Sequence, residues 1–190
     1  GSRPSQDVEA AATKLAESLG EKVRIIRDVN EIENQNEKVQ ESQRKSKGWF
    51  NTGTGEIVVV LPNATGIEDV QATILHEAVG HKGLRELVGE DRFDDFLDKV
   101  YVAATKATRL EIVSLARRNH WDFRLATEEY IAGLAENGFS GRENRTLFGK
   151  IKDFFLDMLS RAKIALGFNI GDNELRYMLR RTYQMRTSRG

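Results

Sequence analysis

The 190-residue chain carries 29 Lys plus Arg and 29 Asp plus Glu, so its formal net charge is zero, and it contains no cysteine. This length is enough for an ordinary hydrophobic core, and the lack of cysteine excludes a disulfide framework and a thiolate metal site. Because there is neither a signal peptide nor an apolar run of about 20 residues, the sequence predicts a soluble, cytoplasmic protein without a membrane span.

The first 47 residues predict one helix, one strand and a polar segment. Alanines and leucines favour a helix over residues 7–19, which Gly20 ends, and residues 22–26 are typical of a strand. Residues 32–47 are polar with few apolar anchors, so they form either an exposed helix or a mobile loop above the active site.

A β-rich segment follows over residues 49–61. It predicts a short strand, a glycine-containing turn and a second, strongly β-branched strand ending with residues 57–61. That second strand is either buried in the core or lies at the sheet edge, where it would pair with an extended peptide substrate. Residues 62–66 predict a loop, and the apolar spacing of residues 67–75 predicts a helix.

The helix leads into the motif His76-Glu77-Ala78-Val79-Gly80-His81. Zinc peptidases typically carry H-E-x-x-H, in which both imidazoles lie on one helix face. Here the spacing is five, which leaves the two rings about 140° apart on a regular helix. A single π-type turn would realign His76 and His81, and Gly80 lowers its steric cost.

If His76 and His81 hold a zinc ion, the expected reaction is a hydrolysis. Zn²⁺ lowers the pKa of a bound water to about 7. Glu77 follows the proposed ligand His76 in the chain but projects in a different direction from the helix. It would therefore act as general base toward the zinc-bound water. Tyr130, Arg85 and His120 are candidates for stabilising the substrate carbonyl oxygen.

Two further helices are predicted over residues 90–107 and 110–118. The next motif residue, His120, has three possible roles: a third imidazole ligand, a proton or hydrogen-bond donor to the reacting carbonyl, or a surface histidine capping the preceding helix.

The helix predicted over residues 127–136 offers two carboxylates. Ile131, Ala132, Leu134 and Ala135 share one face with Glu128, so that carboxylate is predicted to be buried. A buried carboxylate is costly unless it is paired or binds a metal, which makes Glu128 a ligand candidate. Glu129 projects about 100° away and stays open as the alternative. Thr127 would be the N-cap of this helix. The alternative to a metal site is that both glutamates are solvated and stabilise the first turn through their negative charge near the helix N-terminus.

The last 49 residues are basic. Residues 1–141 carry a net charge of −6, whereas residues 142–190 carry +6. Helical spacing predicts amphipathic helices over residues 144–167 and 173–185, separated by a break at residues 167–171. These helices either pack on the rest of the chain, whose acidic surface they would neutralise, or contact nucleic acid or a membrane surface.

Over residues 48–183 the chain resembles the zincin-like peptidase modules of large polyvalent proteins from phages and conjugative elements. The resemblance lies in His76-Glu77-Ala78-Val79-Gly80-His81-Lys82-Gly83-Leu84-Arg85 and in Thr127-Glu128-Glu129-Tyr130-Ile131-Ala132. The chain also resembles the gluzincin-type zinc metallopeptidases, in which a later helix supplies a glutamate as third ligand. Its motif is similar to the H-E-x-x-G-H form of the dipeptidyl peptidase III family. That family's E-E-x-x-A pattern implies Glu129 as the third ligand.

The sequence therefore predicts an α+β, predominantly α-helical, zincin-like metallopeptidase domain with a small sheet. The domain would span residues 3–141, because Gly1 and Ser2 are typical of a cloning remnant, and residues 142–190 would be a helical extension packed on it. The predicted function is zinc-dependent hydrolysis of a peptide or protein substrate. The alternatives are a catalytically inactive zincin-like binding or structural module of a mobile-element protein, and a nucleic-acid-associated accessory module that uses the basic tail.

Overall fold

The computed structural model describes residues 2–167 and 170–189, with side chains for residues 6–167 and 170–181. Within these ranges the chain forms nine α-helices and a three-stranded mixed sheet. The predicted α+β, predominantly helical class is confirmed. Contacts divide the chain into two compact units, one of residues 1–81 with 164–170 and one of residues 82–163 with 171–190.

The first unit contains the sheet. In chain order its elements are α1 (Ser2–Ser18), β1 (Lys22–Ile26), a 3₁₀ turn (Val29–Glu31), α2 (Glu37–Lys45), β2 (Gly48–Asn51), β3 (Glu56–Val60), a second 3₁₀ turn (Leu61–Asn63) and α3 (Ile67–Lys82).

The strand order is β1-β3-β2. β1 pairs with β3 in parallel, with Lys22 opposite Glu56, and β2 pairs with β3 antiparallel, with Phe50 opposite Ile57. The β-branched strand β3 is therefore central, and residues 57–60 are buried. The core-strand interpretation is confirmed, and the interpretation of this strand as a substrate-pairing edge is wrong because both of its edges are already hydrogen-bonded.

The polar segment of residues 32–47 contains a helix, so its interpretation as a mobile loop is wrong. Asn36 caps α2 by accepting from the backbone N–H groups of Lys38 and Val39. Arg44 on α2 donates to the Ile32 carbonyl at 2.8 Å. Because its residues are mostly polar, this helix lies on the surface and buries none of them.

Among the described residues, the second unit contains helices joined by short connections and no strand. Its elements are α4 (Leu84–Val88), α5 (Glu90–Ala103), α6 (Lys106–Asn119), α7 (Phe123–Glu136), α8 (Arg142–Arg161) and α9 (Asp172–Arg189). α5 packs on α8, and α6 and α9 pack on α7. Large, fully buried side chains form its core: Phe93, Phe96, Leu97, Ile112, Ile151 and Phe155.

The helices of the predicted C-terminal extension, α8 and α9, both belong to this second unit and pack on α5 and α7. The boundary between the units follows His81, whereas the sequence predicts a division at residue 141. In the predicted break before α9, Phe168 and Asn169 lie outside the described residues. None of the described helices is both long and apolar enough to cross a bilayer.

Candidate functional site

The helix that carries the H-E-A-V-G-H motif, α3, is anchored at its first turn by Asp69. The carboxylate of Asp69 accepts from the Thr65 backbone N–H at 2.9 Å and from the Lys47 ammonium at 3.0 Å. Burial acts to raise the pKa of Asp69, but the hydrogen bonds from Thr65 and Lys47 outweigh it, so the net shift of this pKa is downward. The start of α3 is thereby tied to the segment that precedes β2.

A second anchor is the close approach of α3 to the sheet at Gly48. A Cβ placed on Gly48 would lie 2.5 Å from the Val58 carbonyl oxygen and 2.8 Å from Cγ2 of Thr73. Real Cβ atoms do not approach other atoms so closely, so only glycine permits this contact between β2 and α3. Strand β2 and helix α3 can approach each other this closely because Gly48 is the one small residue of β2.

The motif itself lies on regular α-helix, which extends without interruption from Ile67 to Lys82. The predicted π-type turn is therefore wrong. Ile74, Leu75, Ala78 and Val79 are all buried at the 3–4 spacing of a regular helix. One inserted residue would rotate Ala78 and Val79 out of the core by about 100°, so packing favours the regular helix.

Glu77 lies next to His76 and is half-buried. Burial raises the pKa of the Glu77 carboxyl, and the charge of His76 opposes that rise. A carboxyl that holds a proton more readily than usual is better suited to proton transfer than a fully solvated one.

His81 lies in the last turn of α3 and is exposed, but its ring has a defined contact. It stacks on Phe50 of β2, with ring centroids 3.8 Å apart and an interplanar angle of 19°. β-strand alternation places Phe50 and Gly48 on one face of β2, and Trp49 packs on the opposite side against the cluster of Ile26, Ile32, Val58 and Val60.

The glutamates lie on α7, which begins earlier than predicted. The N-cap is Asp122, whose side chain accepts from the Leu125 backbone N–H. Thr127 is therefore not the N-cap, and its hydroxyl instead donates to the Phe123 carbonyl at 2.7 Å. The predicted N-cap was wrong because Asp122 and Thr127 are both good capping residues, and the helix extends to the earlier one.

Glu128 is buried, as predicted from its place on the apolar face of α7, and its side chain is 2% exposed. Its carboxylate accepts from Nη2 of Arg85 at 2.7 Å. Arg85 also contacts Glu90 at 2.6 Å and Asp94 at 3.2 Å, and its guanidinium lies 4.5 Å from the centroid of the Phe93 ring. The ion pair with Arg85 supplies the counter-charge that a buried carboxylate requires.

The same contacts change the interpretation of Arg85. Its guanidinium bridges α4, α5 and α7, so the interpretation of Arg85 as a stabiliser of the substrate carbonyl oxygen loses support. Nothing in the local sequence around Arg85 indicates a partner 43 residues away. The signal that points to such a partner is the predicted burial of Glu128, since a buried carboxylate requires a counter-charge.

Glu129 and Tyr130 line a cleft of the second unit that also includes Glu111, Asn137 and Arg142. The Tyr130 hydroxyl donates to Glu111 at 3.0 Å. Burial raises the pKa of Tyr130, and the carboxylate of Glu111 raises it further. Tyr130 is thus neutral and hydrogen-bonded to a side chain of α6.

His120 is the C-cap of α6. It adopts the left-handed conformation with φ 57°, and its backbone N–H donates to the Ala116 carbonyl. Its side chain is exposed. This confirms the interpretation of His120 as a surface residue that caps the preceding helix.

Basic residues of the last 49 positions make contacts inside the second unit. Lys152 pairs with Asp172 at 3.2 Å, Arg161 pairs with Asp157 at 2.9 Å, and Lys150 donates to the Ala103 carbonyl at 3.3 Å. Together with the packing of α8 on α5 and of α9 on α7, the contact from Lys150 to Ala103 supports the interpretation that the basic helices pack on the protein. The nucleic-acid interpretation stays a prediction.

The predicted metal set is divided between the units: His76, Glu77 and His81 belong to the first, and Glu128 and Glu129 to the second. Among the residues with described side chains, neither unit contains three His, Asp or Glu side chains grouped so that they could hold a metal. Two imidazoles and a carboxylate are donors that suit Zn²⁺ in kind. Because α3 is regular, any alignment of the two rings has to come from their side-chain torsions.

Comparisons of the chain with protein-family models, with curated protein sequences and with solved structures return no match.

Proposed function

We propose that the chain is a zinc-dependent metallopeptidase domain. The observation that carries the proposal is the composition and anchoring of α3. This one helix presents His76, the half-buried Glu77 and His81, and it is fixed to the sheet at Gly48 and near its start at Asp69. A rigid support of this kind is what a hydrolytic site needs to keep its base in place.

The ligands that we propose from the first unit are His76 and His81, and the third ligand is the sequence-based choice between Glu128 and Glu129. Glu128 and Glu129 are both candidates from the sequence, but the carboxylate of Glu128 is engaged by Arg85 at 2.7 Å. Using Glu128 as a metal ligand would set the zinc against this buried ion pair. Glu129 is also the residue that the resemblance to the dipeptidyl peptidase III family implies.

Zinc, when bound, would supply Lewis-acid activation of water and of the peptide carbonyl. Glu77 would hold the proton taken up during the reaction and return it to the leaving amine. The half-buried position of Glu77 and its raised pKa suit both tasks, because the protonated form is more stable there than in water. Tyr130, although tied to Glu111, is the remaining candidate for contact with the peptide carbonyl oxygen.

The decisive experiment measures metal content and hydrolysis together. Protein purified without chelator or metal-affinity resin should contain about one zinc per chain, and His76→Ala and His81→Ala should each lose it. Glu77→Gln should keep the zinc and lose cleavage of a mixed peptide library. A zinc-free wild-type protein, even after zinc is added back, would overturn the proposal.

A second function is supported by the regular geometry of α3. Without a π-type turn the two imidazoles leave the helix in directions about 140° apart, which favours a non-catalytic binding module over a zinc site that uses both rings. Such a module would show no hydrolysis with or without Glu77. A structural zinc would be required for folding, whereas a catalytic zinc would leave the fold intact when removed. Association with nucleic acid would appear as strongly salt-dependent binding.

A further inference from the structure

Strand β1 lies at an edge of the sheet, because the strand order is β1-β3-β2 and β3 covers only one of its two sides. Along β1, Lys22 and Arg24 are exposed, Val23 and Ile25 are half-buried, and Ile26 is buried. An edge strand presents backbone N–H and C=O groups to which another extended chain can hydrogen-bond. The sheet can therefore accept a further strand at β1.

The pairing of β2 with β3 determines which residues of β3 bond to β1. Val60 donates its backbone N–H to the Lys47 carbonyl at 2.9 Å, one residue before β2 and in the register of that ladder. Hydrogen-bonded pairs alternate along an antiparallel ladder. The backbone groups of Ile57 and Val59 consequently point away from β2 and toward β1.

The parallel register then identifies the backbone groups of β1 that face outward. Val23 is the partner of Ile57. In a parallel pair, a residue bonds to the two neighbours of its partner, so Ile57 bonds to Lys22 and Arg24. The N–H and C=O groups of Val23 and Ile25 therefore point to the open edge, and no backbone hydrogen bond outside the sheet engages them within the described part of the chain.

A groove of about 630 Å³ runs between β1 and α1, and Val23, Ile25 and Arg27 line its β1 side. Glu9 of α1 accepts from Nε and Nη2 of Arg27 at 2.7 and 2.8 Å, which ties α1 to the end of β1. Alternate side chains of a strand added at this edge would enter the groove. There they would contact the half-buried aliphatic side chains of Val23 and Ile25.

The other face of this edge is basic. Strand alternation places Lys22 and Arg24 on the face opposite to Val23 and Ile25. Both cations are exposed, and no carboxylate among the residues with described side chains forms an ion pair with either. Opposite charges on adjacent strands stabilise a sheet, and like charges directly opposite destabilise it. An added strand is therefore favoured when its carboxylates lie opposite Lys22 and Arg24.

A second copy of this chain does not have the complementary charge. In the antiparallel register that pairs Val23 of one copy with Ile25 of the other, Arg24 lies opposite Arg24. Two cations directly opposite each other destabilise such a pair. The charges of β1 therefore favour an acidic strand from a different protein.

We propose that the open edge of β1 binds an extended acidic segment of a partner protein, which adds to the sheet as an antiparallel strand. Two carboxylates of the segment face Lys22 and Arg24, and its alternate apolar side chains enter the groove. Backbone hydrogen bonds to Val23 and Ile25 supply affinity, and the side chains supply specificity. The inference is independent of the proposed function, because it uses neither a metal nor the motif of α3.

The test measures binding of labelled peptides to the whole chain by fluorescence anisotropy. The probe is a short, capped peptide of alternating valine and glutamate. One matched peptide has lysine in place of glutamate, and another has N-methyl groups on the valines, which removes the donors that face β1. Each matched peptide should bind at least about tenfold more weakly than the probe, because one loses the charge pairs and the other the backbone hydrogen bonds.

Charge reversal on the protein provides the complementary experiment. Lys22→Glu combined with Arg24→Glu should weaken binding of the acidic peptide by about tenfold and produce binding of the lysine peptide. Lys38→Glu combined with Lys45→Glu is the matched control. It makes the same change of net charge on α2, whose residues do not line the groove, and should leave the affinity for the acidic peptide unchanged.

Hydrogen exchange measured by NMR locates the bound peptide. In the free protein, the amide protons of Val23 and Ile25 should exchange faster than those of Arg24 and Ile26, which bond to β3. The acidic peptide should slow the exchange of Val23 and Ile25.

A preference for the acidic peptide that reverses with the charge of β1, together with protection of the Val23 and Ile25 amides, supports the inference. Absence of saturable binding, or equal binding of the lysine or N-methylated peptide, overturns it. A dimer of the chain in sedimentation that protects the same two amides and is not displaced by the peptide also overturns it, because a second copy then occupies the edge.

Discussion

Arg85 donates from Nη2 to the buried carboxylate of Glu128 at 2.7 Å, joining α4 to α7. The side chain of Glu128 is 2% exposed and that of Arg85 is 17% exposed. Both charges are therefore largely removed from water, and Arg85 supplies a counter-charge to the Glu128 carboxylate. The burial of Glu128 therefore has a structural role in joining α4 to α7.

The first prediction concerns the stability of this ion pair. Arg85→Met leaves the Glu128 carboxylate buried without its partner, and loss of one member of a buried pair typically costs about 3 kcal/mol or more. We expect a reduction of about this size in the free energy of unfolding, measured by urea denaturation at neutral pH.

Two further variants provide the comparison for Arg85→Met. Arg124→Met removes an exposed pair with Asp98, so its effect should be much smaller. The double variant Arg85→Met with Glu128→Leu removes both charges and should recover much of the lost stability. Equal effects of Arg85→Met and Arg124→Met would show that the buried pair does not stabilise the second unit.

The second prediction assigns the roles of the two glutamates. Glu129→Gln should abolish stoichiometric zinc binding with little change in stability. Glu128→Gln should keep zinc binding within a few-fold of wild type but lower stability, because Arg85 loses its charged acceptor. Zinc content after gel filtration and unfolding in urea measure the two effects separately. The reverse pattern would make Glu128 the ligand.

Much of the local structure is predictable from sequence because local patterns determine it. The β-branched run gives β3, and the 3–4 apolar spacing gives α3 and the buried face of α7 that includes Glu128. The position of His120 as the C-cap of α6 is also one of the three roles that the sequence predicts for this residue. In each case residues close in the chain make the deciding contacts.

The remaining features depend on tertiary packing. The π-type turn predicted in α3 is absent because Ala78 and Val79 are both buried on a regular helix. The stack of His81 on Phe50 joins residues 31 positions apart, and the pair of Arg85 with Glu128 joins residues 43 apart. A periodicity can predict that a carboxylate is buried, but it does not indicate which distant side chain compensates the charge.

The third prediction tests the close approach of β2 and α3. Gly48→Ala forces a Cβ to within 2.5 Å of the Val58 carbonyl oxygen, which is backbone and cannot rotate away. Overpacking of this kind typically costs about 1–3 kcal/mol, so we expect a loss of stability in that range.

Gly149→Ala is the matched control for Gly48→Ala. Gly149 lies inside α8, and a Cβ there would have no atom within 4 Å apart from the helix's own backbone and its chain neighbours. Alanine favours helix over glycine by about 1 kcal/mol, so Gly149→Ala should stabilise the protein. Urea unfolding of both variants measures the difference, and a Gly48→Ala protein as stable as Gly149→Ala would contradict the steric argument.

The fourth prediction follows from the lowered pKa of Asp69. Burial acts to raise this pKa, but the hydrogen bonds from Thr65 and Lys47 lower it overall. An unfolded Asp titrates near pH 3.9, so between this value and the lower folded pKa the unfolded chain binds more protons. The stabilisation by Asp69 is therefore complete above about pH 4 and is lost as the pH falls through the folded pKa.

Asp69→Asn should accordingly lower stability by about 1 kcal/mol near neutral pH, and the difference from wild type should shrink as the pH falls from about 5 to about 2. Lys47→Met keeps the bond from the Thr65 N–H to Asp69, so it should retain part of the acid dependence. Urea unfolding midpoints across this range measure both variants. A gap between wild type and Asp69→Asn that is constant with pH would mean that the Asp69 charge does not anchor α3, because an uncharged contact at this position would be unaffected by acid.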